Sequence, residues 1–223
     1  MPLANEEEQK NYSHDKIVDL EGEGLDMSRN LNVIYRIDES DRIVYVNDEW
    51  DIFAVENDAK ELISENVKNK NLWEYIQGEE LVYLYGIIFE KVRRRRIELS
   101  FQYRCDSPGK RRYLEMNVAP LKGQMVEIRN PIVKIENRES IDILRNEVKA
   151  GDKFIIMCSW CKKVKAEDWV EVEDAIKKYG LFEKDSLPQI THSICKVCTE
   201  KLYMTLKGSD KQPHSYKAPV FKR

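Results

Sequence analysis

The sequence predicts an α+β chain in two parts, and three observations carry that prediction. Runs of period-two alternation sit at both ends of the stretch from Asn32 to Ile135, with one stretch of helical period between them. Four of the five cysteines fall in two C-x2-C pairs, Cys158/Cys161 and Cys195/Cys198, with 33 residues between the pairs. The 223 residues give room for one average domain and one small one, and 42% hydrophobic content supports a real core.

Asn32–Ile37 and Arg42–Val46 read as two short strands joined at Asp38-Glu39-Ser40-Asp41, whose side chains favour a tight turn. Asn47 then stands where its side-chain oxygen can cap a helix running through Glu49, Trp50 and Phe53. Asn71–Ile76 is another short apolar stretch, carrying Trp73. From Glu80, the apolar positions Leu81, Leu84, Tyr85, Ile88 and Val92 trace one face of a helix of about three turns. Arg93–Arg96 follow as a solvated basic loop.

Beyond that loop the period changes to two. Leu99, Phe101, Tyr103 and Cys105 alternate with Ser100, Gln102 and Arg104; after the turn Asp106-Ser107-Pro108-Gly109, Leu114, Met116 and Val118 alternate with Glu115, Asn117 and Ala119. These are two long antiparallel strands, apolar on one face, and Cys105 counts among their small core residues. A fifth strand spans Met125–Ile135, interrupted at Asn130-Pro131, where proline removes a ladder donor. The chain therefore divides into an acidic N-terminal segment or helical cap (1–27), a sheet-forming part (28–136), a short helical connector (137–152), the cysteine part (153–207) and a basic tail (208–223). In the first 30 residues eight acids stand against three bases, and the sign reverses after Gly208.

The order ββ, short helices, one long helix, βββ resembles a PAS domain. The resemblance is carried by Ile37-Asp38-Glu39-Ser40-Asp41-Arg42-Ile43-Val44-Tyr45-Val46-Asn47-Asp48-Glu49-Trp50 and covers about residues 28–136. It implies a five-stranded antiparallel sheet flanked by helices, with a cavity that in this family holds haem, flavin, small metabolites or nothing. It also implies dimerisation through helical flanks. Trp50, Phe53, Trp73, Tyr85, Phe101 and Tyr103 are the candidate lining of such a pocket. A histidine-ligated haem is not expected, because the only histidines are His14, His192 and His214. A flavin adduct of the LOV type is not expected either, since residues 57–76 contain no cysteine.

The two cysteine pairs have the spacing of a tetrahedral zinc site: each two-residue gap lets the backbone turn tightly enough to place two thiolates about 2.3 Å from one ion. A thioredoxin-like motif would need one pair beside a βαβ pattern, which is not evident. Covalent haem would need a histidine where Lys162 and Thr199 stand. Iron and a thiol switch are the remaining readings. Four thiolates complete a tetrahedron and leave no position for water, which argues against catalysis. Asp168 is expected to cap a helix with Glu171, Trp169, Val172, Ile176 and Tyr179 forming its apolar face and Gly180 its stop. Cys198, Leu202 and Leu206 fall on one face of a helix opened by the second pair. His192 replaces a cysteine as ligand, holds a thiolate by a hydrogen bond, or simply packs beside the site.

Cys158-Ser159-Trp160-Cys161-Lys162-Lys163 and Thr191-His192-Ser193-Ile194-Cys195-Lys196-Val197-Cys198 resemble a cysteine-rich module found behind PAS domains in bacterial signalling proteins, departing from its pattern at Thr191, Ser193 and Lys196. The function implied is a non-enzymatic signalling protein acting by protein–protein contact or self-association. No phosphate-binding glycine loop or nucleophile elbow is visible. Alternatives are a nucleic-acid-binding regulator using Arg93–Arg96 and the basic tail, or a redox sensor whose zinc leaves on thiolate oxidation. With no apolar leader and no stretch approaching 18 apolar residues, the expected location is cytoplasmic, without membrane association.

Overall fold

A computed structural model describes residues 31–141, 150–179 and 187–208. The N-terminal segment, most of the connector, Gly180 and the basic tail lie outside the described residues. The first hairpin forms as its turn chemistry dictates: β1 (Asn32–Ile37) and β2 (Ile43–Val46) pair antiparallel, and Asp38 Oδ1 accepts from the Ser40 and Arg42 amides, each at 2.9 Å. Asn47 does precede helix α1 (Asp48–Glu56), but it does not cap it. Its Oδ1 accepts from the Ile34 amide at 2.9 Å and its Nδ2 donates to the Asn32 carbonyl at 2.8 Å, so the side chain ties α1 back to β1 instead.

A one-turn helix α2 (Ser64–Val67) leads to α3 (Glu79–Arg95), which is longer than the apolar stripe alone indicated. Arg93, Arg94 and Arg95 form its last turn, where cations complement the helix dipole, and Arg96 ends it in the left-handed region at φ 54°. They are therefore not a loop. Arg93 pairs with Asp41 at 2.7 Å and donates to the Asp38 carbonyl at 2.7 Å; Arg96 donates to the Leu121 carbonyl at 2.6 Å.

β3 (Leu99–Arg104), β4 (Lys110–Pro120) and β5 (Val126–Asn137) complete an antiparallel sheet of order β2-β1-β5-β4-β3. The last strand thus lies between the first and the fourth. Pro131 does not interrupt β5: it faces Asn32, the first residue of β1, and the Ile132 amide carries the bonding onward to the Leu31 carbonyl at 3.0 Å. The irregularity falls two residues later, where Val133 is bulged out between the Leu114–Ile132 and Tyr113–Lys134 pairs. Leu84, Ile88, Phe89 and Val92 of α3 pack on Leu99, Phe101, Met116, Val118, Val126 and Ile128 of the sheet.

The second part is a four-stranded sheet of order β8-β7-β6-β9, made of β6 (Ala150–Cys158), β7 (Val164–Lys165), β8 (Trp169–Val170) and β9 (Leu187–Ser193). Helix α4 (Val172–Tyr179) lies in the connection from β6 to the parallel strand β9. Two sequence expectations are corrected here. Trp169 belongs to a strand and the helix starts at Val172, so Asp168 is not its cap. A β-α-β crossover does adjoin the first cysteine pair, hidden in the pattern because β7 and β8 are two residues each. Ile155, Met157, Val164, Val172 and Ala175 form the core of this part. Helix α5 (Lys196–Gly208) follows, burying Cys198, Leu202 and Leu206.

Besides that core, the two parts share a second one. Trp160, Leu202, Leu206 and the buried cysteines belong to the same apolar cluster as Phe101, Ile88 and Met116. No helix among the described residues is long and apolar enough to cross a membrane.

Candidate metal centre and the adjoining cavity

β6 and β9 run side by side to a common end, Cys158 and Ser193 being their last pair, so the turns that follow each strand meet. In the first turn the Lys162 amide donates to the Cys158 carbonyl at 2.9 Å and the Cys158 amide to the Lys163 carbonyl at 2.7 Å, with Lys162 in the left-handed region. In the second, α5 starts at Lys196, placing Cys198 in the first helical turn, where the exposed amides favour a thiolate. The four sulfurs of Cys158, Cys161, Cys195 and Cys198 all lie within 4.8 Å of one another. Cys161 and Cys195 sulfurs are 3.8 Å apart. Sulfurs held about 2.3 Å from a single tetrahedral ion would be separated by about 3.8 Å. The four cysteines could hold a metal ion, and the donor set suits a soft-ligand one.

Electrostatics agree with that use. Hydrogen bonds from the Cys161 and Cys198 thiols, joined by the Cys195 amide at 3.3 Å, hold the Cys158 thiol far below its ordinary value. The bond to Cys158 in turn pushes Cys161 up to about 11. A cation held there would favour the thiolate form of its ligands. Cys158, Cys195 and Cys198 are buried and Cys161 is half-buried, all as free thiols.

His192 stands on β9 with its side chain exposed, and its ring is not among the groups within ligand distance of all four sulfurs. Among the described residues no hydrogen bond joins it to a thiolate. The second turn is braced instead by Glu80 of α3, whose Oε2 accepts from Ser193 Oγ at 2.8 Å and from the Ile194 amide at 3.1 Å.

Between α1, α3 and the sheet is a cavity of about 240 Å³. Trp50, Phe53, Tyr85 and Tyr103 line it, as do Tyr35, Asn57, Cys105 and Asn130. Trp73 and Phe101 do not. The Trp73 indole donates to Asp41 Oδ2 at 2.9 Å and its ring lies against Phe89, while Phe101 meets Trp160 edge-on with ring centroids 6.2 Å apart.

Trp160, inside the first cysteine pair, is the link that sequence reading missed. Its ring centroid lies 5.9 Å from that of Tyr103 and 6.3 Å from that of Tyr85, both cavity residues. Its indole N–H donates to the Gln102 carbonyl at 2.7 Å, and its own carbonyl accepts from the Arg104 amide at 2.9 Å. β3 is the edge of the five-stranded sheet, and the cysteine turn covers that edge. The one available signal was a large aromatic between two ligands, where a solvent-facing turn would carry a small or polar residue.

A charge cluster fixes the same junction. Arg104, expected on a solvent face, is buried, pairing with Asp106 and with Glu171 at 2.7 Å. Arg111 pairs with Glu173 at 2.9 Å, and Arg138 reaches both Asp106 and Glu173 at 3.2 Å. No known family model matches the chain, and no curated protein matches it.

Proposed function

We propose that the chain is a non-enzymatic, cytoplasmic signalling protein of bacterial type, in which a PAS domain over about 28–136 is coupled to a structural zinc module over about 153–207 and acts by contact with a protein partner or a second copy of itself. The strand order with β5 inserted beside β1, the helices on one face and the cavity beneath them support the PAS reading. The closed four-sulfur cluster supports zinc in a structural role, since the tetrahedron leaves no open position for a substrate.

One observation carries the coupling: Trp160 is held between two candidate metal ligands while its ring rests on two cavity residues. A change at either site displaces the other through one rigid side chain. The surface for output is the outer side of α5, where Val197 and Met204 are 59% and 75% exposed. Arg93 and Arg96 are engaged within the chain, which draws two of the four consecutive arginines away from a nucleic-acid role. The experiment is light scattering on the full chain with and without Met204→Asp. The wild type is expected to self-associate and the variant to be mainly monomeric with its metal retained; equal association of both would refute this surface.

A further inference from the structure

We propose that helix α3 is a latch on the metal centre: Glu80 at its start and Lys91 near its end are positioning residues that hold the segment carrying Cys195 and Cys198, and so set how long the metal stays. The inference rests on the reading of the four cysteines as a metal site. It adds to Trp160 a second route between that site and the sheet.

The sequence of α3 puts these two groups on one face. At about 100° per residue, the step from Glu80 to Lys91 closes three turns to within about 20°, with Leu84 and Ile87 between them on the same stripe. Leu84 and Ile87 belong to the apolar cluster that also holds Leu202 and Leu206 of α5. The face therefore offers apolar contact along its middle and a charged group at each end.

At the start of α3, one oxygen of Glu80 accepts both from Ser193 Oγ at 2.8 Å and from the Ile194 amide at 3.1 Å. The same Ser193 gives its carbonyl to the Ser159 amide at 2.8 Å, inside the turn of the first cysteine pair. The next amide, that of Cys195, donates to Cys158 Sγ at 3.3 Å. Glu80 thus holds the point at which the two cysteine turns meet, while standing outside the group of candidate ligands itself. Near the other end, Lys91 Nζ donates to the Leu206 carbonyl, one of the last four of α5, which a helix leaves for outside donors.

The two ties fall in the same order along both helices, so α5 lies along α3 in the same direction and is fastened at each end. For an ion to leave, the second cysteine turn has to lift from the first, and it lifts only when the Glu80 bonds break. The coupling is reciprocal: loss of the metal loosens the start of α3.

The test uses the full zinc-loaded chain, with release followed by an excess of a chromophoric chelator. Glu80→Ala is expected to speed release about fivefold, the factor that one net hydrogen bond sets. Glu80→Gln should stay within about twofold, because its amide oxygen can accept the same two bonds. Lys91→Met keeps the apolar stem, touches no ligand, and should speed release about threefold through the loss of the helix-end contact. Removing zinc from the wild type should raise amide exchange at Leu81 and Val82, whose amides bond to the Gly78 carbonyl at 3.1 Å each, and Glu80→Ala should abolish that response. Release as slow from Glu80→Ala or from Lys91→Met as from the wild type overturns the proposal. So does equal acceleration by Glu80→Ala and Glu80→Gln, or exchange in α3 that ignores the metal. A wild type that holds no zinc sinks the metal reading and this inference together, whereas a zinc-bound chain whose release rate ignores Glu80 sinks this inference alone.

Discussion

The Trp160 indole N–H and the Gln102 carbonyl meet at 2.7 Å, and this bond fastens the first cysteine turn to the exposed edge of the five-stranded sheet. With the return bond from the Arg104 amide, the turn supplies the hydrogen bonds that an added strand would make. Substituting Trp160 therefore removes both a buried aromatic and the cover of an edge strand. Trp160→Ala is expected to lower stability by about 3–5 kcal/mol, as for other buried aromatics. Metal stoichiometry should stay at one per chain, because the ring ligates nothing. Denaturant unfolding with elemental analysis checks both; a loss under about 1 kcal/mol would contradict the shared core.

Cys195→Ser removes one of four sulfurs from a cluster in which all are mutually within 4.8 Å. Small zinc modules draw about 10–16 kcal/mol from their metal. The variant should lose the ion and the protected amides of β6, β9 and α5, as read by hydrogen exchange. His192→Ala should keep metal affinity within about twofold, since the ring is outside the four-sulfur cluster and no hydrogen bond among the described residues joins it to a sulfur; a tenfold loss would show that it supports the site.

The cluster around Asp106 gives a third expectation. Its side chain is 1% exposed and faces the guanidinium groups of Arg104 and Arg138. Removing one partner of a buried pair strands the others, so Asp106→Ala should cost about 3–5 kcal/mol. Thermal unfolding measures it. A neutral outcome would show that Glu171 and Glu173 suffice.

Alkaline pH reports on the cavity. Burial pushes Tyr85 up to about 12 and holds Tyr35 and Tyr103 well above the usual 10. The folded state favours their neutral forms, so the stability they contribute is complete below pH 10 and is lost as pH rises through about 12. Denaturation midpoints should be flat from pH 8 to 9.5 and fall beyond 10, with late-ionising tyrosines visible in ultraviolet absorbance. Titration of all eleven tyrosines near pH 10 with the fold intact would be inconsistent with the cavity.

Much of this architecture was legible because local pattern and tertiary packing agree. The period-two alternation of Leu99, Phe101, Leu114 and Met116 matches their buried face, and the spacing of Cys198, Leu202 and Leu206 matches theirs. The misreadings share a physical cause. Arg104, Phe101 and Trp160 answer to contacts between the two parts, and nothing local distinguishes a polar strand residue facing water from one facing a carboxylate on another element. Asn47 shows the same limit: its side chain has a helix amide within local reach, yet the β1 backbone wins. β7 and β8 are too short to show a period.

The most direct measurement of the central claim is sedimentation velocity across protein concentration at about 50 and 500 mM salt, with and without removal of the metal. The proposed function predicts self-association that is indifferent to salt, since apolar contact is not screened, and that disappears with the zinc. A monomer under every condition that instead binds duplex DNA, with an affinity falling steeply as salt rises, would contradict it.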